Sequence, residues 1–204
     1  MAFKNRENYY NGVVICHGKS EWQMVRFISS NLHLRVKSYA RDKGRSSIQI
    51  TGLMNILNSK PFHKQSSFVS EFPVEEKGKG KDKQLVNFKL FIIMDTDDCA
   101  PWQRDDYISK KMFEGHWLYD YIVPIENSPC LEDVLVEIGM MPKKIHDEEK
   151  GKYYATVFPI NKKPLSNDTL GEVQTLRSYI QKSKHSNLLE YIDYCLSLLP
   201  GNGV

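Results

Sequence analysis

The chain has 204 residues and a mass of 23.7 kDa, enough for one domain with a sizeable core. Apolar residues make up 41% and charged residues 26%, proportions that argue against global disorder, a collagen-like repeat or a coiled-coil fibre. With 28 basic and 25 acidic residues the formal net charge is +3, a near balance that permits nucleic acid as a partner without arguing for it. No apolar run approaches the roughly 20 residues that span a bilayer; the longest strand-like one is Leu90 to Met94. The opening MAFKNRENYYNG has no apolar segment, so neither a secretory signal nor a membrane is expected, and the reading is cytoplasmic. Cys16, Cys99, Cys130 and Cys195 form no CxxC pair, which fits reduced thiols and removes the zinc-ribbon and zinc-finger classes.

In chain order, Gly12 to His17 is a β-branched run apolar on both sides, as in a buried parallel strand. Ser20 offers an N-cap for a helix over Glu21 to Ser30, with Trp22, Val25 and Ile28 at helical spacing. Leu34 to Tyr39 alternates as a second strand, and Ser46 or Ser47 precedes a helical pattern through Leu57 that Pro61 ends. Residues 62–86 read as a flexible insertion. Its stretch Glu75 to Lys83 is rich in glycine and lysine without an apolar anchor, either a solvated tip or a loop that follows a phosphate backbone. Phe88 to Met94 is the clearest strand and runs into Asp95-Thr96-Asp97-Asp98; Pro101 then opens a helix reaching Phe113. Tyr121 to Ile125 reads as a strand whose proline suits a sheet edge. A helix from Ser128-Pro129 to near Gly139, a polar connector over Lys143 to Tyr154, and helices over Thr169 to Lys182 and Ser186 to Leu199 complete the chain.

The alternation of strand and helix predicts an α/β fold with a mostly parallel sheet flanked by helices. The domain covers 1–145, and 146–204 forms a connector and helical extension on the same core. Ligands of such sheets sit at the carboxyl ends of the strands, where this sequence carries its reactive residues. Asp95, Asp97 and Asp98 place three carboxylates in four residues, a repulsion that a cation or hydrogen-bond donors must offset. On an extended segment Asp95 and Asp97 project to one side, and hard oxygen ligands suit Mg²⁺ or Mn²⁺; an Asx-type turn leading into Pro101 is the alternative. Gly18-Lys19-Ser20-Glu21 follows a buried strand but lacks the upstream glycine of a Walker A loop. Glu21 and Glu132 each fall in the first turn of a helix, where a carboxylate also serves as a cap. Cys16 and Cys195 read as core thiols, and a Cys16–His17 nucleophile pair is disfavoured because strand neighbours face opposite sides.

Together, Cys16-His17-Gly18-Lys19-Ser20-Glu21, Ile93-Met94-Asp95-Thr96-Asp97-Asp98 and Asn127-Ser128-Pro129-Cys130-Leu131-Glu132 resemble, in order and placement, the motifs of the Toprim fold, a Rossmann-like α/β class. The nearest resemblance is to its RloB-like branch, related to the OLD-type nucleases, over roughly residues 10–140. It implies divalent-metal-dependent hydrolysis of phosphodiesters in DNA or RNA. Asp95, Asp97, Asp98, Glu21 and Glu132 would form the acidic ring around Mg²⁺ or Mn²⁺, and His17, Glu21 and Lys19 the catalytic set. Lys43 and Arg45, on the loop after Tyr39, would join Lys19 on the phosphate side. It further implies a bacterial or phage-defence setting, with a homodimer or a defence complex as the assembly. One departure is specific: the family's first glutamate falls at His17, which works as an acid–base group or neutral ligand but supplies no negative charge. A catalytically degenerate module that binds nucleic acid or nucleotide, or a partner subunit, is therefore the alternative. A receiver-like phosphotransfer protein fits less well, since the acidic cluster follows the third strand.

Overall fold

The computed structural model describes residues 9–143, 147–160 and 165–200. Its core is a four-stranded, wholly parallel sheet of β1 (Gly12–Cys16), β2 (Val36–Tyr39), β5 (Lys89–Asp95) and β6 (Ile122–Asn127), in the order β2-β1-β5-β6. A separate two-residue antiparallel ribbon pairs β3 (Glu76–Lys77) with β4 (Gln84–Leu85). The helices are α1 (Lys19–Asn31), α2 (Leu53–Leu57), α3 (Gln65–Glu71), α4 (Pro101–Ile108), α5 (Leu131–Glu137), α6 (Asp147–Val157), α7 (Asn167–Ile180) and α8 (Leu189–Ser197).

The central strands are apolar without interruption because both faces of the sheet are covered. Val14 and Cys16 of β1, with Phe91 and Ile93 of β5, pack under α1, α5, α7 and α8. Val13 and Ile15, with Leu90, Ile92 and Met94, pack under α2, α3 and α4. On that second face the Tyr107 hydroxyl donates to the Ile92 carbonyl at 2.6 Å and accepts from the Ile125 N–H at 3.2 Å, which pins α4 across β5 and β6. The tail helices share the first face: Val173, Leu176, Ile180, Tyr191, Ile192 and Cys195 are all buried in it. Among the described residues no helix is long and apolar enough to cross a membrane.

Four expectations need correcting. Helix α1 starts at Lys19 and not Glu21, because Gly18 takes the cap position and the Glu21 carboxylate reaches back to its N–H at 2.9 Å. The pattern after Ser46 yields only a 3₁₀ turn over Ile50–Gly52 and the short α2. Residues 62–86 are not one long loop: α3 and the β3–β4 ribbon lie within them, held by Phe62, Phe68, Phe72, Val74 and Leu85 in the second core. Their aromatic rings pack tilted at centroid separations of 5.0–5.8 Å; Phe68 and Phe72 stand at helical i,i+4 spacing, but Phe62, Val74 and Leu85 continue neither a sheet nor a helix period. The connector over Lys143 to Tyr154 is largely the helix α6, and Tyr154 is a core residue; residues 144–146 lie outside the described ones.

Candidate functional site

The chain runs from β1 to β2 on one side and returns to β5 on the other, so the connection reverses between β1 and β5. Loops diverge at such a switch point, which makes the strands' carboxyl ends the expected place for a ligand crevice. His17 stands one residue beyond β1 and donates its backbone N–H to the Ile93 carbonyl of β5 at 2.9 Å. Asp95, the last residue of β5, pairs in register with Asn127 at the end of β6. The following turn folds onto β6: the Thr96 and Asp97 N–H groups donate to the Pro129 carbonyl at 2.8 and 3.0 Å.

Three carboxylates meet here from three elements, all nearly shut from solvent: Glu21 is 1% exposed, Asp95 6% and Glu132 7%. Asp95 Oδ1 accepts from Asn127 Nδ2 at 3.3 Å and from the Leu131 N–H at 3.1 Å. Its Oδ2 faces His17 Nε2 at 4.0 Å. Glu21 spends one oxygen on the Gly18 N–H, while its Oε1 is buried with no hydrogen-bond partner among the described residues, as are His17 Nδ1 and Asp98 Oδ1. Glu132 Oε1 accepts from Ser20 Oγ at 3.2 Å, which joins the first turns of α1 and α5.

Crowding like charges in a dry crevice raises their proton affinity. Burial pushes the Asp95 carboxyl well above the usual carboxylate range, with the charges of Glu21 and Glu132 adding to it; the Asn127 and Leu131 donors oppose the shift. Burial also raises Glu21, against the pull of His17 and with a smaller push from Glu132. Asp98 is raised by burial, against His17 and with Asp97. A cation would remove the same repulsion, and the donors on offer are hard oxygens suited to Mg²⁺ or Mn²⁺. Among the described residues, however, no three His, Cys, Asp or Glu side chains are already drawn around one point as an ion's ligands.

This arrangement sets a pH dependence. Glu21 and Asp95 hold their protons to higher pH in the fold than in the unfolded chain. Their contribution is therefore intact below the ordinary carboxylate value and is lost as pH rises toward the folded values. In chelator, melting temperature should fall as pH rises above the ordinary carboxylate range, and the fall should be shallower in Glu21→Gln. Equal slopes in the two proteins would contradict the shared burial of these groups.

The sequence-derived set is thus largely gathered: His17, Glu21, Asp95, Asp98 and Glu132 share the crevice. Asp97 does not follow Asp95 into it, being exposed on the turn, because the strand ends at Asp95 and its alternation ends there too. Lys19 is exposed at the first residue of α1. Lys43 and Arg45 are exposed on the loop after β2. That loop lies against α1 through Gly44, whose φ is +84° and whose added Cβ would come 2.7 Å from Lys19 Cα. Gly44→Ala should cost about 1–3 kcal/mol in thermal unfolding, whereas Gly52→Ala, with no atom within 4 Å of its Cβ, should be close to neutral; equal effects would mean the loop is not seated on α1. Sequence reasoning gave Ser20 only a capping role and assigned none to Asn127 or Tyr154. The first two stood within the quoted motifs, but Tyr154, whose hydroxyl is raised by burial and by Glu132, lay in the polar connector and gave no signal.

The fold is that of an α/β protein with a four-stranded parallel sheet flanked by helices, compatible with a Rossmann-like form, and the candidate site lies at its switch point. Compared with family models, with curated proteins and with solved structures, the chain matches none.

Proposed function

We propose that this edge is the metal centre of a Toprim-type phosphodiesterase that hydrolyses nucleic acid. The observation that carries the reading is the buried trio Glu21, Asp95 and Glu132 at the switch point, with Glu21 Oε1 unpartnered. Glu21 Oε1 and Asp95 Oδ2 would hold Mg²⁺ or Mn²⁺, with Glu132 and Asp98 around them. Such an ion, when bound, polarises a phosphodiester and stabilises the leaving oxygen. The chain's own residues do the rest. Asn127 and the Leu131 N–H fix Asp95 in one rotamer, and Ser20 fixes Glu132. His17, across from Asp95, moves the proton, and Lys19, with Lys43 and Arg45 on the adjoining loop, meets the phosphates. The crevice walls exclude water from the carboxylates, which strengthens every charge interaction there.

A second reading is favoured by the absence of a preformed three-ligand cluster among the described residues and by histidine at position 17: a nucleic-acid-binding module or defence-complex subunit that keeps the fold without the chemistry. One titration separates them. Mn²⁺ should raise the melting temperature of the wild-type chain and leave Asp95→Asn unmoved, and single- or double-stranded DNA or RNA should be cut only with the metal. A shift without cleavage selects the module; no shift with either metal sinks the metal centre.

A further inference from the structure

We propose that the groove between α1 and the open edge of β2 binds one unit of a single nucleic-acid strand, its base against a Trp22–Arg26 stack and its phosphates on Arg26, Lys37 and Lys43. This rests on the nucleic-acid half of the proposed function and is independent of metal or catalysis. The groove encloses about 450 Å³ and is lined by Trp22, Arg26, Lys37, Ser38, Tyr39 and Lys43, within the size range of small-ligand sites. Three of its lining residues are cations, and none is a carboxylate. Among the described residues Arg26, Lys37 and Lys43 form no ion pair. The nearby Asp42 carboxylate is engaged by Ser46 Oγ at 2.9 Å. Unpaired cations around a concave space select an anion.

The second feature selects a flat, aromatic one. Trp22 and Arg26 are one helical turn apart, both half-buried, and the guanidinium carbon lies 4.5 Å from the indole centroid. A guanidinium seated over an indole ring can offer its outer side to a base, while its N–H groups remain available to phosphate. Phosphate donors beside a stacking plane are the chemistry of a nucleotide unit. Tyr39 is fixed from the other face by an edge contact to Phe62, ring centroids 4.9 Å apart, so it forms wall and not platform.

A strand, more than a free nucleotide, fits what continues from the groove. Asp42, Lys43 and Gly44 all have positive φ, at 48°, 57° and 84°. That contorted loop carries Arg41, Lys43 and Arg45 and is pressed against Gly18 and Lys19 through Gly44. Positive charge therefore runs from the groove to the turn that holds Glu21, so a chain seated in the groove is led to the carboxylate crevice.

The test is binding in chelator, where cleavage plays no part: fluorescence anisotropy of a short labelled single strand of DNA and of RNA, with a nucleoside monophosphate and a duplex as competitors. Lys37 and Lys43 are exposed, so Lys37→Glu/Lys43→Glu should keep the fold, checked by melting temperature. It should weaken single-strand binding by about tenfold or more and lower the salt slope by about one per lysine. Arg26→Ala should weaken it at unchanged salt slope beyond its own charge. Wild-type affinity retained in the double variant, or no binding of either strand by the wild type, overturns the proposal. Competition by the monophosphate at the strand's own affinity overturns the strand and leaves a free nucleotide site; preference for duplex overturns the stacking. Groove-dependent binding with no cleavage under any metal would uphold this inference while removing the phosphodiesterase reading.

Discussion

Asp95→Asn should abolish metal-dependent cleavage while leaving the fold as stable as before, or slightly more so. The asparagine keeps an oxygen where Asp95 Oδ1 accepts from Asn127 and from the Leu131 N–H, so neither buried donor loses its acceptor. What is lost is the negative charge that Glu21 and Glu132 already resist, and with it a hard anionic ligand. Changing even outer-shell partners of a metal costs about 10–100-fold, and loss of a direct ligand should exceed that. Asp95→Ala separates charge from hydrogen bonding, since it strands the Asn127 and Leu131 donors at about 1–3 kcal/mol each. Activity assays paired with urea unfolding read both. Full activity in Asp95→Asn ends the metal role; an asparagine variant as unstable as the alanine one makes Asp95 a structural cap.

His17→Ala should lose about 10²–10⁴-fold in rate, the usual worth of a positioned acid–base group, with little change in substrate affinity. Its imidazole lies 4.0 Å from Asp95 Oδ2 and its Nδ1 is buried without a partner, so packing supplies little reason for a histidine there. His17→Glu would add a fourth carboxylate to Glu21, Asp95 and Glu132, tightening Mn²⁺ binding and lowering stability in chelator. A silent alanine variant in an active enzyme would hand the proton transfer to Glu21.

What the sequence revealed of this site followed from its most regular strands. β1 and β5 are continuous apolar runs because both faces are covered, and their ends could be read to within a residue; the order of strands and helices then brought His17, Glu21, Asp95 and Glu132 to one edge. The reading failed where regularity stopped. Asp97 looked like a partner of Asp95 only while the strand's alternation was extended past its end. Ser20 looked like a cap until Glu21, three residues into the turn, took the Gly18 N–H. Phe62, Phe68 and Phe72 anchor a helix and its flanks, yet only Phe68 and Phe72 share a helical spacing, too short a signal to mark the helix. Tyr154 approaches Glu132 from a helix whose charged sequence resembles a linker.

The support of Asp95 reaches well beyond the sheet. Asn127, which donates to Asp95 Oδ1, has its own Oδ1 held by Ser186 Oγ at 2.9 Å, and the Ser128 N–H donates to the His185 carbonyl at 2.8 Å. Residues 185 and 186 lead into α8, whose Tyr191 and Cys195 are sealed in the first core. During synthesis the motif residues emerge long before this segment, so the nascent chain carries every carboxylate of the crevice without the brace that orients Asp95. The crevice reaches its final geometry only when residues 185–197 dock on the first core.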